Sequence, residues 1–215
     1  MEILVAGGHG KVALRLLRLA AERGDRGRGL IRNPDHVRDL EAVGAEPVLC
    51  DLETDDPRPH LGAAEAIVFA AGAGPGSGPA RKRTVDLGAA LKLIEAAGEL
   101  GVARYVMVSS MGYEDIEHAA DGMRPYLEAK RDADAALRTS GLDWTIVKPG
   151  RLTDGPGSGR VDAAPALGRR GEVPREDVAL TLLECLHAPN TIRAEFELLS
   201  GDVPVAQAVR ALGPR

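Results

Sequence analysis

Three residues in the middle of the chain have types and spacing suited to moving a proton at an oxygen atom. Ser110 ends an apolar run, Tyr105 to Val108 followed by Ser109 and Ser110, and Tyr126 and Lys130 stand four residues apart in a stretch of strong helical character. Residues four apart stack on one helix face, so the phenol and the ammonium can be presented at one place. A phenol with an ordinary pKa of about 10 is a poor acid–base group at neutral pH. A cation beside it favours the phenolate and brings it toward the working range. Ser110 would then hold a substrate oxygen by a hydrogen bond, Tyr126 would exchange its proton and Lys130 would tune the phenol. The same set serves alcohol oxidation and carbonyl reduction. YxxxK spacing alone is frequent by chance, and a serine pair at a strand end also suits a turn cap, so the weight rests on the order in which these residues follow the rest of the chain.

The element that must position them is at the amino terminus, MEILVAGGHGKVA, where Ile3, Leu4 and Val5 read as a strand, Gly7, Gly8 and Gly10 as a turn and Lys11 as the start of an amphipathic helix. Strand, glycine turn and helix in that order are the context a dinucleotide fingerprint requires. Glycines let the backbone turn tightly and come close to a ligand, while free N–H groups and the helix dipole attract a diphosphate. Lys130 would additionally hold the ribose of the nicotinamide half.

Helical spacing runs from Lys11 to about Arg23 with a predicted buried stripe of Val12, Leu14, Leu16, Leu17 and Leu19. A second strand is expected at residues 28 to 32, poor in composition but fixed by its position between a Gly24-Asp25 turn and the helix start at Asn33-Pro34. Apolar runs recur at Pro47 to Cys50, Ala66 to Ala70, Tyr105 to Val108 and Thr145 to Val147, with helical stretches at about 34 to 43, 83 to 100 and 123 to 140 between them. That alternation predicts a doubly wound parallel sheet with helices on both faces, its ligand beyond the carboxyl ends of the strands.

In this architecture Arg32, at the end of the second strand, meets the adenosine ribose. An acidic residue there would bond a ribose 2′-hydroxyl, whereas an arginine pairs with a 2′-phosphate, which points to NADP in preference to NAD; a solvated arginine on a turn is the plainer alternative. Asp51 and Leu52 border the adenine, or Asp51 caps a short helix beyond. Ala70, Ala71 and Gly72 carry little side chain and would let a ribose lie against the backbone, and the Gly/Pro-rich remainder to Ala80 reads as a surface loop. The helix from Arg83 to Leu100 reads as core at Val85, Leu87, Leu91, Leu93 and Ile94, with no chemistry assigned to Asp86.

Bulk composition narrows the classes. The 215 residues suffice for one sizeable core and no linker divides them, so a single domain, 1–215, is expected, with residues 151 to 215 on the substrate side. Lys plus Arg is 27 against 32 Asp plus Glu, a net charge of −5 that leaves no basic stripe for nucleic acid. No segment approaches membrane-spanning length and the opening run lacks a basic leader, so a soluble cytoplasmic protein without membrane partners is expected. Cys50 and Cys185 fit no CxxC pattern and read as buried thiols. His9, His36, His60, His118 and His187 show no metal-ligand spacing, so no metal is predicted. Monomer and homodimer both stay open.

AGGHGKVA, VSS, YLEAK and SGLDWTIVKPGRLTDGPGSG together resemble the atypical short-chain dehydrogenases/reductases, the NAD(P)H-binding or NmrA-like subgroup, from Ile3 to about Gly201. The resemblance implies a Rossmann-type sheet with a small carboxyl-terminal substrate region, and an NADP cofactor. The phosphate turn falls on Gly7, Gly8, His9, Gly10, Lys11 and Val12, the 2′-phosphate arginine on Arg32, and the strand-end serine on Ser110, with Ser109 as second choice and as a cofactor neighbour. The YxxxK pair falls on Tyr126 and Lys130, and Lys148-Pro149-Gly150 would pass the nicotinamide, with Pro149 against it. Ala13 replaces the third glycine, Ala6 the threonine before the turn, and Tyr113 is a competing phenol. The implied activity is hydride transfer between nicotinamide and a small carbonyl or alcohol substrate. Two alternatives stand beside it, a non-catalytic NADP(H) sensor and an epimerase or dehydratase using bound cofactor. Residues 151 to 173, rich in Gly and Arg, would line the open side of the pocket, and Arg151, Arg160, Arg169 and Arg170 read as solvated loop residues rather than as ligands of an acidic substrate.

Overall fold

The computed structural model describes residues 1–74, 78–120 and 122–213; the tip of the predicted Gly/Pro surface loop, residues 75 to 77, lies outside them. Among the described residues the strands are β1 Glu2–Ala6, β2 Arg26–Ile31, β3 Glu46–Leu49, β4 Ala66–Phe69, β5 Arg104–Val108, β6 Asp143–Pro149, β7 Arg151–Thr153, β8 Arg160–Ala164, β9 Glu172–Pro174, β10 Ala194–Ser200 and β11 Val203–Pro204. The helices are α1 Lys11–Arg23, α2 Val37–Ala42, α3 Pro79–Arg81, which runs through a π-helical stretch Lys82–Gly88 into α4 Ala89–Leu100, then α5 Arg124–Thr139, α6 Arg175–Leu186 and α7 Val205–Arg210.

The strands form a nine-stranded sheet in the order β11-β8-β10-β6-β5-β4-β1-β2-β3. From β3 to β10 every pairing is parallel, and only β8, antiparallel to both β10 and β11, runs against the rest of the sheet. This is a Rossmann-type α/β fold. β1 sits between β2 and β4, so the chain leaves its carboxyl end on one side and returns on the other, and the loops after β1 and β4 part there. Period-two alternation sends Ile3 and Val5 to one face, under Leu16 and Leu17 of α1 and Val178 and Leu182 of α6, and Leu4 and Ala6 to the other, under Leu93 of α4 and Leu137 of α5. No helix among the described residues is long and apolar enough to cross a membrane.

Four readings are corrected. In α1 the buried residues are Val12, Ala13, Leu16, Leu17 and Ala20, with Leu14 and Leu19 only partly covered, because the small Ala13 and Ala20 let the helix lie close to the sheet. β2 begins earlier than expected and owes its poor composition to the closeness of α1 and α2: a Cβ on Gly27 would stand 2.6 Å from Cδ2 of Leu17, and one on Gly29 2.4 Å from Cδ2 of Leu40. Leu91, read as core, is 41% exposed while Asp86 is 1% exposed, since the wider π turn shifts the phase of the helix face. Residues 151 to 173 are not plain loop; they carry β7 and β9, paired parallel in a small second sheet, and β8, the antiparallel neighbour of β10.

Candidate active site

The glycine turn is a cradle whose bottom has no room for a side chain. Gly7 has φ +76°, and a Cβ there would stand 2.6 Å from Cα of Ala71; on Gly8 it would stand 2.7 Å from Cα of Gly29. Not all the amides of the turn face outward. The Gly8 N–H donates to Leu30 O at 2.9 Å and the Gly10 N–H to Gly7 O at 2.7 Å, so both are spent on holding the turn. What stays available is the first turn of α1, where Leu14 N–H closes on Gly10 O and no side chain caps the helix. The amides of Lys11, Val12 and Ala13 would therefore be the donors to a diphosphate, strengthened by the helix dipole. The Lys11 ammonium points elsewhere, to Oδ2 of Asp154 at 2.6 Å, and Val12 is buried, so both offer backbone only. The missing Cβ atoms let the turn seat directly on Gly29 and Ala71, which sets the start of α1 beside a cavity lined by Gly7 and Gly10 where a dinucleotide would fit.

Beside the turn lies a cavity of about 320 Å³ lined by Gly7, His9, Gly10, Arg32, Asp51, Leu52 and Ala70 to Ala73 among others. It brings together most of the predicted cofactor positions. Asp51 lines the cavity, and its Oδ1 accepts from the N–H of Glu53 at 3.0 Å in a turn beyond β3 that takes the place of the short helix expected there. Cys50 also lines it, its thiol pushed up to about 11 by burial. His9 stacks on His36 with ring centroids 3.5 Å apart, and its Nε2 lies 2.8 Å from Oδ2 of Asp39. Among the lining residues that escaped the sequence reading are Glu53, Arg81 and His36.

A second cavity, about 630 Å³, opens at the ends of β5 and β6 and is lined by Ser110, Met111, Glu114, Met123, Pro149, Arg151, Arg169, Arg170 and Glu197 among others. Of the serine pair, Ser110 faces this space, its hydroxyl donating to Met111 O at 3.1 Å. Ser109, placed beside the cofactor by the sequence reading, is turned away: it is 3% exposed and its hydroxyl donates to Oδ2 of Asp134 at 2.5 Å. Successive side chains at a strand end point to opposite faces, so only one of the two can face the cavity. Pro149 lines this second cavity.

Tyr126 is half-buried on α5, one turn from the cavity-lining Met123, whose carbonyl accepts its N–H at 3.1 Å. Lys130 lies beneath it, 4% exposed, with Nζ 5.9 Å from the centroid of the Tyr126 ring. Neither side chain contributes to the walls of the two cavities. The ammonium is partly committed already, donating to Val108 O at 3.0 Å and lying 3.6 Å from Oδ1 of Asp86. The other oxygen of Asp86 accepts from the N–H of Ala73 at 3.2 Å, which ties the loop after β4 to α5. An ammonium has three N–H bonds, so a donor is left for a ribose hydroxyl or the phenol.

The competing phenol, Tyr113, is used otherwise. Its hydroxyl donates to Oε1 of Glu195 and accepts from Arg138, both at 2.9 Å, inside a buried network completed by Lys148 and Glu114. Burial, with Asp134 and Glu195 nearby, raises its pKa well above the ordinary phenol value, which leaves it a poor proton donor.

A parallel sheet that reverses its order beside a glycine cradle and an uncapped helix start defines a dinucleotide-binding protein of the Rossmann class. The chain belongs to the NAD(P)H-binding family, whose model matches residues 7–189. It is 39% identical over 216 residues to the Bacillus subtilis protein YhfK, named an uncharacterized sugar epimerase, covering 99% of this chain and 100% of that one. It is 34% identical over 225 residues to the UPF0659 protein YMR090W of Saccharomyces cerevisiae, with 99% of each covered. Among solved structures, a Bacillus halodurans protein with the provisional name NAD-dependent epimerase/dehydratase superposes with TM-score 0.95 at 38% identity, covering 99% of this chain and 100% of that one. The oxidoreductase ylbE of Lactococcus lactis superposes with TM-score 0.85 at 25% identity, covering 99% and 96%. The family includes oxidoreductase-type and epimerase-like relatives, and this chain is an NAD(P)H-binding member of it.

Proposed function

We propose that the protein is an NADP-dependent oxidoreductase acting on a small carbonyl or alcohol, with Ser110, Tyr126 and Lys130 as its acid–base set. The observation that carries this reading is the buried Lys130 ammonium 5.9 Å from the Tyr126 ring, on the helix that follows the Ser110 strand. Nicotinamide, when bound, supplies or accepts the hydride. The chain's own residues do the rest. The α1 amides of Lys11, Val12 and Ala13 hold the diphosphate, and Arg32 pairs with the 2′-phosphate. The Ser110 hydroxyl turns from Met111 O to a substrate oxygen, Oη of Tyr126 gives that oxygen its proton, and Lys130 stabilises the phenolate left behind.

The names carried by the Bacillus subtilis and Bacillus halodurans relatives favour a second reading, in which the same set serves an epimerisation with no net use of cofactor. The test is a screen of carbonyl compounds and sugar alcohols for NADPH consumption or NADP reduction, with Tyr126→Phe as control. Net turnover that falls at least about a hundredfold in Tyr126→Phe supports the first reading. Stereochemical exchange without net cofactor change supports the second, and tight cofactor binding with neither assigns the protein to sensing.

A further inference from the structure

Two guanidinium groups from distant parts of the chain converge on one carboxylate at the ribose end of the first cavity. Arg32, just past β2, has Nη1 3.4 Å from Oε2 of Glu53, and Arg81, at the end of α3, has Nη2 3.2 Å from the same oxygen. The Thr84 hydroxyl donates to the other oxygen of Glu53 at 2.7 Å. Arg32, Glu53 and Arg81 all line the cavity. The carboxylate is only 26% exposed, so its pairing is screened less than that of a surface pair.

We propose that Glu53 and Arg81 set which dinucleotide this site accepts: Arg32 and Arg81 are a two-guanidinium clamp for a 2′-phosphate, and Glu53 is the internal anion seated in that clamp. The proposal rests on the assignment of Arg32 to the 2′-phosphate and adds two residues to it.

The chemistry follows from what each nucleotide brings. Guanidinium forks accept carboxylate and phosphate alike, so the place where Glu53 is gripped is also the place where a phosphate would be gripped. A ribose 2′-hydroxyl can donate to Glu53 with both arginines left in place. A 2′-phosphate instead sets a second anion against Glu53, and the carboxylate must rotate out before the clamp can close on it. Rotation of the side chain is the available movement, because the backbone of Glu53 is pinned: its N–H donates to Oδ1 of Asp51, and the N–H of Asp51 donates to Oδ2 of Asp55 at 2.7 Å. Arg81 also keeps Nε buried without a hydrogen-bond partner, an unsatisfied donor at the clamp. The other charged or titratable groups lining the cavity are His9, His36, Cys50 and Asp51. Glu53 thus favours NAD, the two arginines favour NADP, and the balance among three side chains decides.

The experiment measures the affinity of the full chain for NADPH and NADH, and for adenosine 2′,5′-bisphosphate against AMP, by calorimetric titration of the unsubstituted protein and of Arg32→Ala, Arg81→Ala, Arg81→Lys and Glu53→Gln. Arg81→Ala is expected to weaken NADPH and the bisphosphate at least about tenfold while leaving NADH and AMP within about twofold. Arg81→Lys, which keeps the charge and loses the fork, should fall between. Glu53→Gln should tighten NADPH by about tenfold and leave NADH level or weaker. Loss of both nucleotides equally in Arg81→Ala, or no gain in NADPH affinity in Glu53→Gln, overturns the proposal. If Arg32→Ala alone discriminates between the nucleotides, the Arg32 assignment stands without the clamp; if Arg32→Ala weakens both equally, the assignment itself falls. A circular dichroism melt of each variant excludes misfolding as the cause.

Discussion

The Nζ of Lys130 lies 3.6 Å from Oδ1 of Asp86, and the two side chains are 5% and 1% exposed. Withdrawn from water, an ammonium needs a counter-charge and hydrogen-bond acceptors. Val108 O gives one acceptor and Asp86 gives the charge, while Asp86 also receives the Ala73 N–H. This one carboxylate therefore holds both the lysine under Tyr126 and the loop that lines the nucleotide cavity. Asp86→Ala would leave a buried cation unpaired and an amide without an acceptor. The expected loss is about 3–5 kcal/mol in urea unfolding. Asp86→Asn removes the charge but keeps an acceptor for Ala73, so it should lose nearly as much, and a loss distinctly smaller than that of Asp86→Ala would show that the Ala73 hydrogen bond and not the charge is what matters.

Asp134 lies one helix turn beyond Lys130 on α5, is fully buried, and has a pKa raised from 3.8 to about 6; burial drives it up, against the Ser109 hydrogen bond and the Lys130 charge. The folded-state value lies above the unfolded one, so folding favours the protonated form. The penalty for ionising it is absent below about pH 4 and complete above about pH 6, where it approaches 3 kcal/mol. Asp134→Asn, which keeps an acceptor for Ser109, should therefore be more stable than the unsubstituted protein at pH 7.5. That advantage should shrink as the pH is lowered through 6 and vanish near 4. Denaturant melts at pH 4, 5.5 and 7.5 test the sign, and an advantage that grows with acid would refute it.

Glu195 behaves in the opposite sense. Burial alone would raise its pKa, but hydrogen bonds from Arg138, Lys148 and Tyr113 outweigh that and hold it at about 2, from an ordinary 4.5. The depressed value makes its contribution present above about pH 4.5 and lost as the pH falls toward 2. Glu195→Gln should cost about 3 kcal/mol at pH 7, because Arg138 and Lys148 lose their shared counter-charge. The stability difference from the unsubstituted protein should close on acidification, read by the same melts down to pH 2.5.

Much of this architecture is local enough to be read from the chain. The bounds of α1 and the glycine turn follow from a strand, three glycines and an amphipathic run in immediate succession, and Arg32 is located by counting from the end of the second strand. What could not be read depends on phase or on distance. The π-helical stretch Lys82–Gly88 turns Asp86 inward and Leu91 outward against a regular helical reading. Which of Ser109 and Ser110 faces the cavity depends on the register of β5, and apolar content does not fix that. Arg81 and Glu53 meet across 28 positions of sequence, and no spacing rule joins them. β7 to β9 are short and lie in a glycine- and arginine-rich segment where the period-two signal is weak.

The cradle itself yields the last prediction. A Cβ on Gly8 would come 2.7 Å from Cα and 2.8 Å from the carbonyl carbon of Gly29, backbone atoms of β2 that cannot move without breaking the register of β2 against β1 and β3. The clash must push the glycine turn off the sheet, which displaces the first turn of α1 and the amides that face the diphosphate. Gly8→Ala is expected to lower stability by about 1–3 kcal/mol and to weaken NADPH and NADH alike by at least about tenfold. The common loss separates it from changes at Arg32, which should discriminate between the two. Gly98, inside α4, is the matched control: a Cβ there meets nothing within 4 Å, so Gly98→Ala should raise stability by about 0.5–1 kcal/mol through helix propensity. Nucleotide affinity should be unchanged in that variant. If Gly8→Ala bound both nucleotides normally, the close seating of the turn on β2 would have no part in holding the diphosphate.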